Sequence, residues 1–303
     1  MLSFKEIIER GVRNWKDLNA DKEADQLNCF RGSNTPLLVN GKFVTDGASH
    51  CPRQAIARRL GLPTGYPKTF GDLASHAYGR AMEALIKQLV EFAEVEGLQT
   101  VEEEGFKVLV QDETGVIYSA RPDLILCWNG VPSEACEFKS VQSNTTGEKV
   151  FINKEPKLGA CIQNCSQMHF HELEKGTICY IEGHWIKGYS FAKKAPINLL
   201  PAFTTFDCAF DEEGNFLING KKTVVNRHNI EAAISLLNQY FIEGEIPPDR
   251  PKAINPFGSQ GYSPCEYCSY GASQSKVCER AEGIVDGLKI ETFSDLIKES
   301  FCL

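Results

Sequence analysis

Two short stretches in the middle of the chain carry residues that could bind a metal ion and activate water. The first is Arg121-Pro122-Asp123, and the second, after a gap of hairpin length, is Glu137-Phe138-Lys139. An aspartate at the start of one strand can meet a glutamate and a lysine on the next, because residues i and i+2 of a strand point to the same face. Two carboxylates and one ammonium are the groups needed to hold a divalent cation and to position or deprotonate an attacking water.

On spacing alone, this pattern has a simpler interpretation, in which two exposed strand ends carry an ordinary ion pair. Other features favour a shared site. Glu137 stands between Cys136 and Phe138, in a strand where apolar side chains are expected to face inward. His76 lies on the polar stripe of a predicted upstream helix, and Gln163 lies on a predicted downstream helix.

A second group of candidate ligands stands near the C-terminus. Cys265 and Cys268 form a CxxC pair, and Cys278 follows after nine residues. Such a turn lets two thiolates bind one metal centre, and a third cysteine after a short loop can reach the same centre. Three ligands leave one position of the centre to be filled from elsewhere.

The elements that must position these residues follow from the hydrophobic periodicity. Helices are predicted at about 72–94, at 158–173 and around Ile230–Phe241. Strands are predicted at 106–111, 116–120, 123–128, 134–139, 177–181, 184–191 and 203–210, with a tight hairpin turn at Asn129-Gly130. Helix, antiparallel strands, helix and strand in this order indicate an α/β or α+β core with a mixed sheet.

Charge and cysteine content limit the classes of function. The 32 basic residues are outnumbered by 40 acidic ones, which gives a net charge of −8. A polycationic coat for nucleic acid is thereby excluded, so any such site must be local or built around metal ions. The chain has twelve cysteines, but it has no N-terminal apolar run and no stretch of the ~18 apolar residues that a membrane span needs. These features suggest a reducing cytoplasm and no membrane partner. Clustered cysteines there more often bind metal than form disulfides.

The combined pattern resembles the RecB-like branch of the PD-(D/E)xK nuclease superfamily. The matching stretches are Gly71 to His76, Arg121-Pro122-Asp123, Glu137-Phe138-Lys139 and Gln163 to Gln167. The resemblance implies a restriction-endonuclease-like α/β core, with a central mixed sheet flanked by helices. It further implies a metal site of His76, Asp123, Glu137 and the Phe138 carbonyl, with Lys139 assisting the water and Gln163 ordering the lysine or the DNA strand.

Two positions depart from the family pattern. Many RecB-like members carry Asp where Glu137 stands, which keeps the charge of the ligand. A Tyr commonly follows the motif glutamine by four positions, whereas Gln167 stands there in this chain. Glu83 shares the helical stripe of His76 but lies ~10 Å further along the helix, so we interpret it as a solvated glutamate paired with Lys87.

The segment Cys51-Pro52-Arg53, followed by residues 54–61, resembles the lone N-terminal cysteine of iron–sulfur RecB-like nucleases. These include AddB-type helicase–nuclease subunits, CRISPR-associated exonucleases and phage relatives. The resemblance implies a 4Fe–4S cluster held by Cys51, Cys265, Cys268 and Cys278. A zinc knuckle, with His50 or Cys302 as a competing ligand, remains the alternative.

The predicted organisation therefore has three parts. Residues 1–50 form an N-terminal helical extension, residues 51–282 form the nuclease domain, and residues 283–303 form a tail. The iron–sulfur module, which comprises Cys51 and residues 264–280, closes the nuclease domain.

The other cysteines carry no predicted chemistry. Six of them lie in apolar elements and are interpreted as small core residues: Cys127, Cys136, Cys161, Cys165, Cys179 and Cys208. A thiol nucleophile at Cys165 would need a converging histidine, and His169 and His171 on the same helix do not provide one. No glycine-rich loop followed by Lys and Ser or Thr occurs, so no ATP-driven motor is expected in this chain.

These features predict a DNA nuclease that uses Mg²⁺ or Mn²⁺, most simply an exonuclease acting on single strands or DNA ends with 5′-to-3′ polarity. Local cations would line the DNA path: Arg53, Arg58, Arg59, Arg80, Arg121 and Lys149. Recombination or CRISPR adaptation proteins are the expected partners. The alternative is a catalytically silent DNA-binding or scaffold subunit with a four-cysteine zinc or iron–sulfur clasp.

Overall fold

The computed structural model describes residues 29–46, 50–60, 70–102, 107–141, 144–182, 203–247 and 251–259. The helices are α1 (Pro52–Arg59), α2 (Phe70–Glu91), α3 (Asn144–Gly147), α4 (Leu158–Phe170) and α5 (Arg227–Glu243). The strands are β1 (Phe30–Arg31), β2 (Leu37–Val39), β3 (Lys42–Thr45), β4 (Leu98–Glu102), β5 (Val108–Asp112), β6 (Gly115–Ala120), β7 (Leu124–Trp128), β8 (Val131–Val141), β9 (Lys175–Glu182), β10 (Phe203–Phe210), β11 (Asn215–Ile218), β12 (Lys221–Asn226) and β13 (Lys252–Ala253).

A seven-stranded mixed sheet organises the described part of the chain. Its strand order is β12-β11-β10-β9-β8-β7-β4, and β8 and β9 are parallel while the other neighbours are antiparallel. Parallel neighbours require a crossover, and α4 provides it between β8 and β9. Helix α2 packs against β8, and α4 packs against both β8 and β9. The predicted α/β fold, with a central mixed sheet flanked by helices, is confirmed.

The hairpin β7–β8 forms where the sequence predicts it. Asn129 and Gly130 have φ values of 51° and 81°, and positive φ at both central residues is what the favoured two-residue turn requires. The pairing that follows places Leu124 opposite Cys136. Asp123, which directly precedes β7, is therefore brought beside Glu137.

Helix α2 shows only part of the two-faced pattern that its sequence predicts, since Leu89 on the predicted apolar stripe is 44% exposed. Leu73 and Met82 are buried, whereas His76 and Arg80 are exposed. The helix spans Phe70–Glu91 rather than the predicted 72–94, a shift of the size usual at helix ends. Helix α4 also ends earlier than predicted, at Phe170. The strand predicted at 184–191 lies outside the described residues.

Residues 29–46 pack into the same core as the central sheet. β1 pairs in parallel with β6, and β2 and β3 form a small sheet with β13. Phe30, Leu37 and Val44 belong to the hydrophobic cluster that also contains Ile125 and Ile178. This part of the predicted helical extension is thus strand-forming and integrated, because its apolar side chains are covered by the sheet. The domain boundaries stay a prediction.

The six cysteines interpreted as core residues are all buried. Burial raises the pKa of the Cys161 and Cys165 thiols well above their usual value, and it acts in the same direction on Cys136, Cys179 and Cys208. A neutral, fully buried thiol at Cys165 cannot serve as a nucleophile. The rejection of a cysteine-nucleophile enzyme at this position therefore agrees with the structure.

The N-terminal end of α4 is held by the segment that precedes α1. The Oδ2 atom of Asp46 accepts a hydrogen bond of 2.5 Å from the Gly159 amide. The His50 imidazole lies so close to Gly159 that a Cβ atom there would be 2.2 Å from His50 Cε1. This close approach requires glycine, and it sets the position of the helix that carries Gln163.

Helices that are long and apolar enough to cross a membrane do not occur in the described residues.

We expect Gly159→Ala to lower the free energy of unfolding by about 1–3 kcal/mol, because the new methyl group overlaps the His50 ring. The matched control is Gly79→Ala in α2, where a Cβ would lie 3.5 Å from Ser140 Oγ. That substitution should leave stability unchanged or raise it slightly. Chemical denaturation measures both, and equal stability of Gly159→Ala and the parent protein would contradict the packing described for His50.

Candidate active site

Two carboxylates meet at the open end of the β7–β8 hairpin. Glu137 is fully buried in β8, and Asp123 is partly buried just before β7. The Phe138 amide donates a hydrogen bond of 2.7 Å to Asp123 Oδ2, which ties the aspartate to the strand that carries Glu137. The convergence expected from the strand pairing is therefore present.

Lys139 lies between the buried carboxylates and the surface. It follows Glu137 by two residues and so shares its face of β8. Its Nζ atom forms an ion pair with Glu137 Oε1 and donates a hydrogen bond of 3.0 Å to Gln163 Oε1. The lysine side chain is 36% exposed, whereas that of Glu137 is completely buried. Gln163 thus contacts the lysine, and its role in ordering the lysine or the DNA strand stays a prediction.

Gln167 completes the group, although the sequence pattern predicts no role for it. Its side chain is 1% exposed, one helical turn after Gln163 on α4. The amide nitrogen Nε2 donates to Glu137 Oε2 over 2.6 Å and to the Arg121 carbonyl over 3.1 Å. The one-turn spacing from Gln163 was the available signal, since residues i and i+4 of a helix share a face.

Burial and mutual repulsion govern the charges of this group. Burial, and then repulsion from Glu137, raise the pKa of Asp123 well above its usual range. Burial also raises the pKa of Glu137, against the attraction of Lys139. Burial would lower the pKa of Lys139, but attraction by the two carboxylates outweighs it, so the lysine pKa is raised and the ammonium is retained.

A cavity of about 410 Å³ opens beside Lys139. One wall is a single face of α2, since its residues recur at intervals of three and four. The other wall is the C-terminal part of β8. The lining residues are Ser75, His76, Gly79, Arg80, Glu83, Phe138, Lys139 and Ser140.

Glu83 is both paired and close to the site. Its Oε1 atom lies 2.8 Å from Lys87 Nζ, so the predicted ion pair is confirmed. However, Glu83 also lines the cavity, and its charge contributes to raising the pKa of Asp123 and Glu137. It is therefore a third carboxylate in the electrostatic environment of the site, beyond the solvated role expected from its sequence position.

The complete metal-ligand set implied by the resemblance is not assembled by side chains alone. No three His, Cys, Asp or Glu side chains within the described ranges converge closely enough to hold a metal ion. His76 shares the cavity with Lys139, and Phe138 lines it as well. The participation of His76 and of the Phe138 carbonyl as ligands stays a prediction.

Two of the six cations predicted to bind DNA contact core residues, and the burial of one of them, Arg53, corrects its assignment. Arg53 is 2% exposed and its Nε atom donates to the Pro247 carbonyl over 2.8 Å. The Arg59 guanidinium stacks between Phe30 and Phe241, at 4.5 and 3.9 Å from the ring centroids. Arg53 is buried and cannot extend to a surface ligand, whereas Arg59 is only partly buried and its binding to DNA stays a prediction.

The other four predicted cations occupy different surroundings. Arg80 is exposed and lines the cavity. Arg121 is partly buried, directly before the proline that precedes Asp123. Arg58 donates to Asn34 over 3.3 Å, and Lys149 lines a second cavity of about 160 Å³ beside Asp46. Arg80 is thus the one of the six that lies in the cavity of the candidate site.

Of the four cysteines predicted to hold the cluster, one lies in the described part of the chain. Cys51 is 5% exposed and directly precedes α1. Cys265, Cys268 and Cys278 lie outside the described residues, as does Cys302.

No family model matches the chain, and no curated protein matches it. Among solved structures, an alkaline exonuclease (LHK-Exo) from Laribacter hongkongensis has 15% identity and a TM-score of 0.40, with 72% of this chain and 90% of that chain covered. The same exonuclease in complex with dAMP has 16% identity, a TM-score of 0.39 and the same coverage. The structure of SSO0001 has 15% identity and a TM-score of 0.35, covering 65% of this chain and 68% of that chain. Similarity at this level does not assign an activity.

We expect Asp123→Asn to stabilise the metal-free protein at about pH 8 but much less at about pH 4. The raised pKa of Asp123 means that its ionised form is disfavoured in the fold, so stability is present below the unfolded-state pKa and is lost as pH rises through the folded-state pKa. An amide avoids that loss and can still accept the Phe138 amide hydrogen. A melting temperature higher by about 2–4 °C at the upper pH, measured in chelator, would correspond to ~1 kcal/mol.

The control for this experiment is Asp112→Asn. Hydrogen bonding to the Thr114 side chain lowers the pKa of Asp112, which is exposed, so its loss should act in the opposite direction at the higher pH. A destabilising effect of Asp123→Asn at the higher pH would contradict the electrostatic description of the site.

Proposed function

We propose that this protein is a divalent-metal-dependent DNA nuclease that hydrolyses phosphodiester bonds at the β7–β8 hairpin. One observation carries the proposal: Asp123, Glu137, Lys139 and Gln163, which lie on three separate elements, converge on one cluster of side chains beside an open cavity. An incidental surface ion pair would not require a fully buried glutamate.

The donor set suits a hard divalent cation. Two oxygen-bearing carboxylates repel each other, and a single ammonium compensates only part of their charge. Asp123 and Glu137 would hold the ion, and His76 and the Phe138 carbonyl are the further ligands we propose. A bound Mg²⁺ or Mn²⁺ ion would supply a Lewis acid for a phosphoryl oxygen and lower the pKa of a coordinated water.

Lys139 would orient the attacking water and place positive charge beside the scissile phosphate. Its raised pKa keeps it protonated, and its partial exposure allows a substrate to approach it. Gln163 holds the ammonium through Oε1, so the lysine keeps a partner when its contact with Glu137 is exchanged for substrate or water. The lysine acts in this mechanism as a positioned cation.

The substrate we propose is DNA that is single-stranded or has free ends, cleaved with 5′-to-3′ polarity. Arg80 in the cavity provides a local positive charge for phosphate in a chain whose net charge is −8. We further propose a cytoplasmic location, which rests on the cysteine content of the sequence, and a role beside recombination or CRISPR adaptation proteins, which rests on the family resemblance.

A 4Fe–4S cluster held by Cys51, Cys265, Cys268 and Cys278 remains part of the proposal, with zinc as the alternative metal. Its purpose would be structural, since it would tie the start of α1 to the C-terminal part of the chain. Cys51 lies next to His50, which packs on Gly159 of α4. A cluster there would therefore support the helix that carries Gln163 and Gln167.

Purified protein with Mn²⁺ should degrade labelled single-stranded DNA, and chelator should stop it. Asp123→Ala and Lys139→Ala should each reduce the rate by about 100-fold or more, because several kcal/mol of charge stabilisation are lost. Asp211→Asn, in the turn between β10 and β11, is the control and should retain full activity. Gel analysis of the products from 5′- and 3′-labelled strands also reports polarity.

Activity that survives both alanine substitutions would sink the assignment of the site. DNA binding without cleavage, in the presence of Mn²⁺ and an intact fold, would instead identify the catalytically silent DNA-binding or scaffold subunit.

Protein purified without oxygen should contain about four irons per chain and absorb broadly near roughly 400 nm. Cys51→Ser and Cys265→Ser should lose this absorption, whereas Cys127→Ser, at a buried core position, should keep it. A colourless protein with one zinc per chain would decide for the zinc knuckle.

A further inference from the structure

Gln167 occupies the centre of the candidate site without reaching the cavity. It is 1% exposed, and the cavity beside Lys139 is lined by other residues. Its Nε2 atom has two hydrogens and two acceptors, Glu137 Oε2 at 2.6 Å and the Arg121 carbonyl at 3.1 Å. Arg121 precedes Asp123 by two residues, so one amide group fixes the positions of both carboxylate-bearing segments.

The two oxygens of Glu137 are held by partners of different kinds. Oε1 accepts from Lys139, a partly exposed side chain whose ammonium also has Gln163 as a partner. Oε2 accepts from Gln167, whose amide is buried. If Gln167 left Oε2, a buried N–H would lose its hydrogen bond, which costs roughly 1–3 kcal/mol. Lys139 can release Oε1 without becoming unpaired.

The surroundings of Gln167 prevent it from turning away. Asn164 donates to the Ala135 carbonyl over 2.9 Å and lies 3.5 Å from Gln167 Oε1. Both amides are buried on α4, and the helix is packed against β8 and β9. A side chain confined in this way offers a fixed donor to Oε2.

We propose that Gln167 is a positioning residue that sets the cation preference of the site by holding Glu137 Oε2 in a buried hydrogen bond, so that Oε1 is the oxygen presented to an ion. This inference rests on the proposed metal site at Asp123 and Glu137. Ca²⁺ readily uses both oxygens of one carboxylate, whereas Mg²⁺ is smaller and usually takes one oxygen from each carboxylate that it binds. A glutamate with one oxygen already occupied therefore favours Mg²⁺ over Ca²⁺.

The inference is tested by calorimetric titration of Mg²⁺ and Ca²⁺ into the full-length protein without DNA, so that binding is read independently of cleavage. Gln167→Leu removes the donor, and Gln167→Met removes it while better preserving side-chain length. Mg²⁺ affinity should fall about 10- to 100-fold, as is typical when a partner of a ligating group is lost. Ca²⁺ affinity should fall less, so the ratio of the two affinities should move toward Ca²⁺.

Ser166→Ala is the matched control. Ser166 is also fully buried on α4, and its hydroxyl donates to the Ile162 carbonyl without touching Glu137. This variant reproduces the loss of a buried hydrogen bond on the same helix. Its ratio of Mg²⁺ affinity to Ca²⁺ affinity should equal that of the parent protein.

Each remaining outcome counts against the inference. If the affinities for Mg²⁺ and Ca²⁺ fall equally in the two Gln167 variants, or if neither affinity changes, the amide does not set selectivity. Loss of the fold in both variants would assign Gln167 to stability alone. If the parent protein binds neither ion more tightly than Asp123→Asn does, the proposed metal site itself fails, which distinguishes that failure from an error about Gln167.

Discussion

The candidate site depends on holding two like-charged carboxylates together in a place where water is largely excluded. Asp123 and Glu137 raise the cost of each other's ionisation, and burial adds to that cost. The fold tolerates the pair because Lys139, Gln167 and the Phe138 amide supply donors to it. The remaining negative charge would attract the cation that we propose, so a destabilising feature of the fold is also its proposed functional feature.

Helix α4 connects this electrostatic centre to the rest of the molecule. Gln163 and Gln167 contact Lys139 and Glu137, while Cys161, Ile162, Cys165 and Met168 are buried in the core. Its N-terminal end is held by Asp46 and by the contact between His50 and Gly159. Residues that precede α1 therefore support a site whose charged groups lie far along the chain, and a clasp at Cys51 would act on the same junction.

The distribution of arginines shows why net charge is a weak guide to function in this protein. Arg53 and Arg59 serve packing through a carbonyl contact and through stacking between two phenylalanines. Arg80, on an exposed face of α2, remains beside the cavity. The chain carries a net charge of −8, yet a proposed phosphate contact needs only one well-placed cation and a bound metal ion.

The sequence by itself determined most elements of the central sheet and the core of the site, but it did not predict the strands of residues 29–46 or the strands β4, β11 and β12. Period-two and period-3.6 patterns predicted the hairpin around Asn129-Gly130, the exposed stripe of α2 at His76 and Arg80, and the buried cysteines, because these depend on local geometry and hydrophobicity. The i, i+2 spacing predicted that Glu137 and Lys139 share a face. Only the tertiary structure decided that Gln167 binds Glu137, that Glu83 lies in the cavity and that Arg53 is buried. Each of these depends on which distant element packs against the residue, and local sequence does not encode that choice.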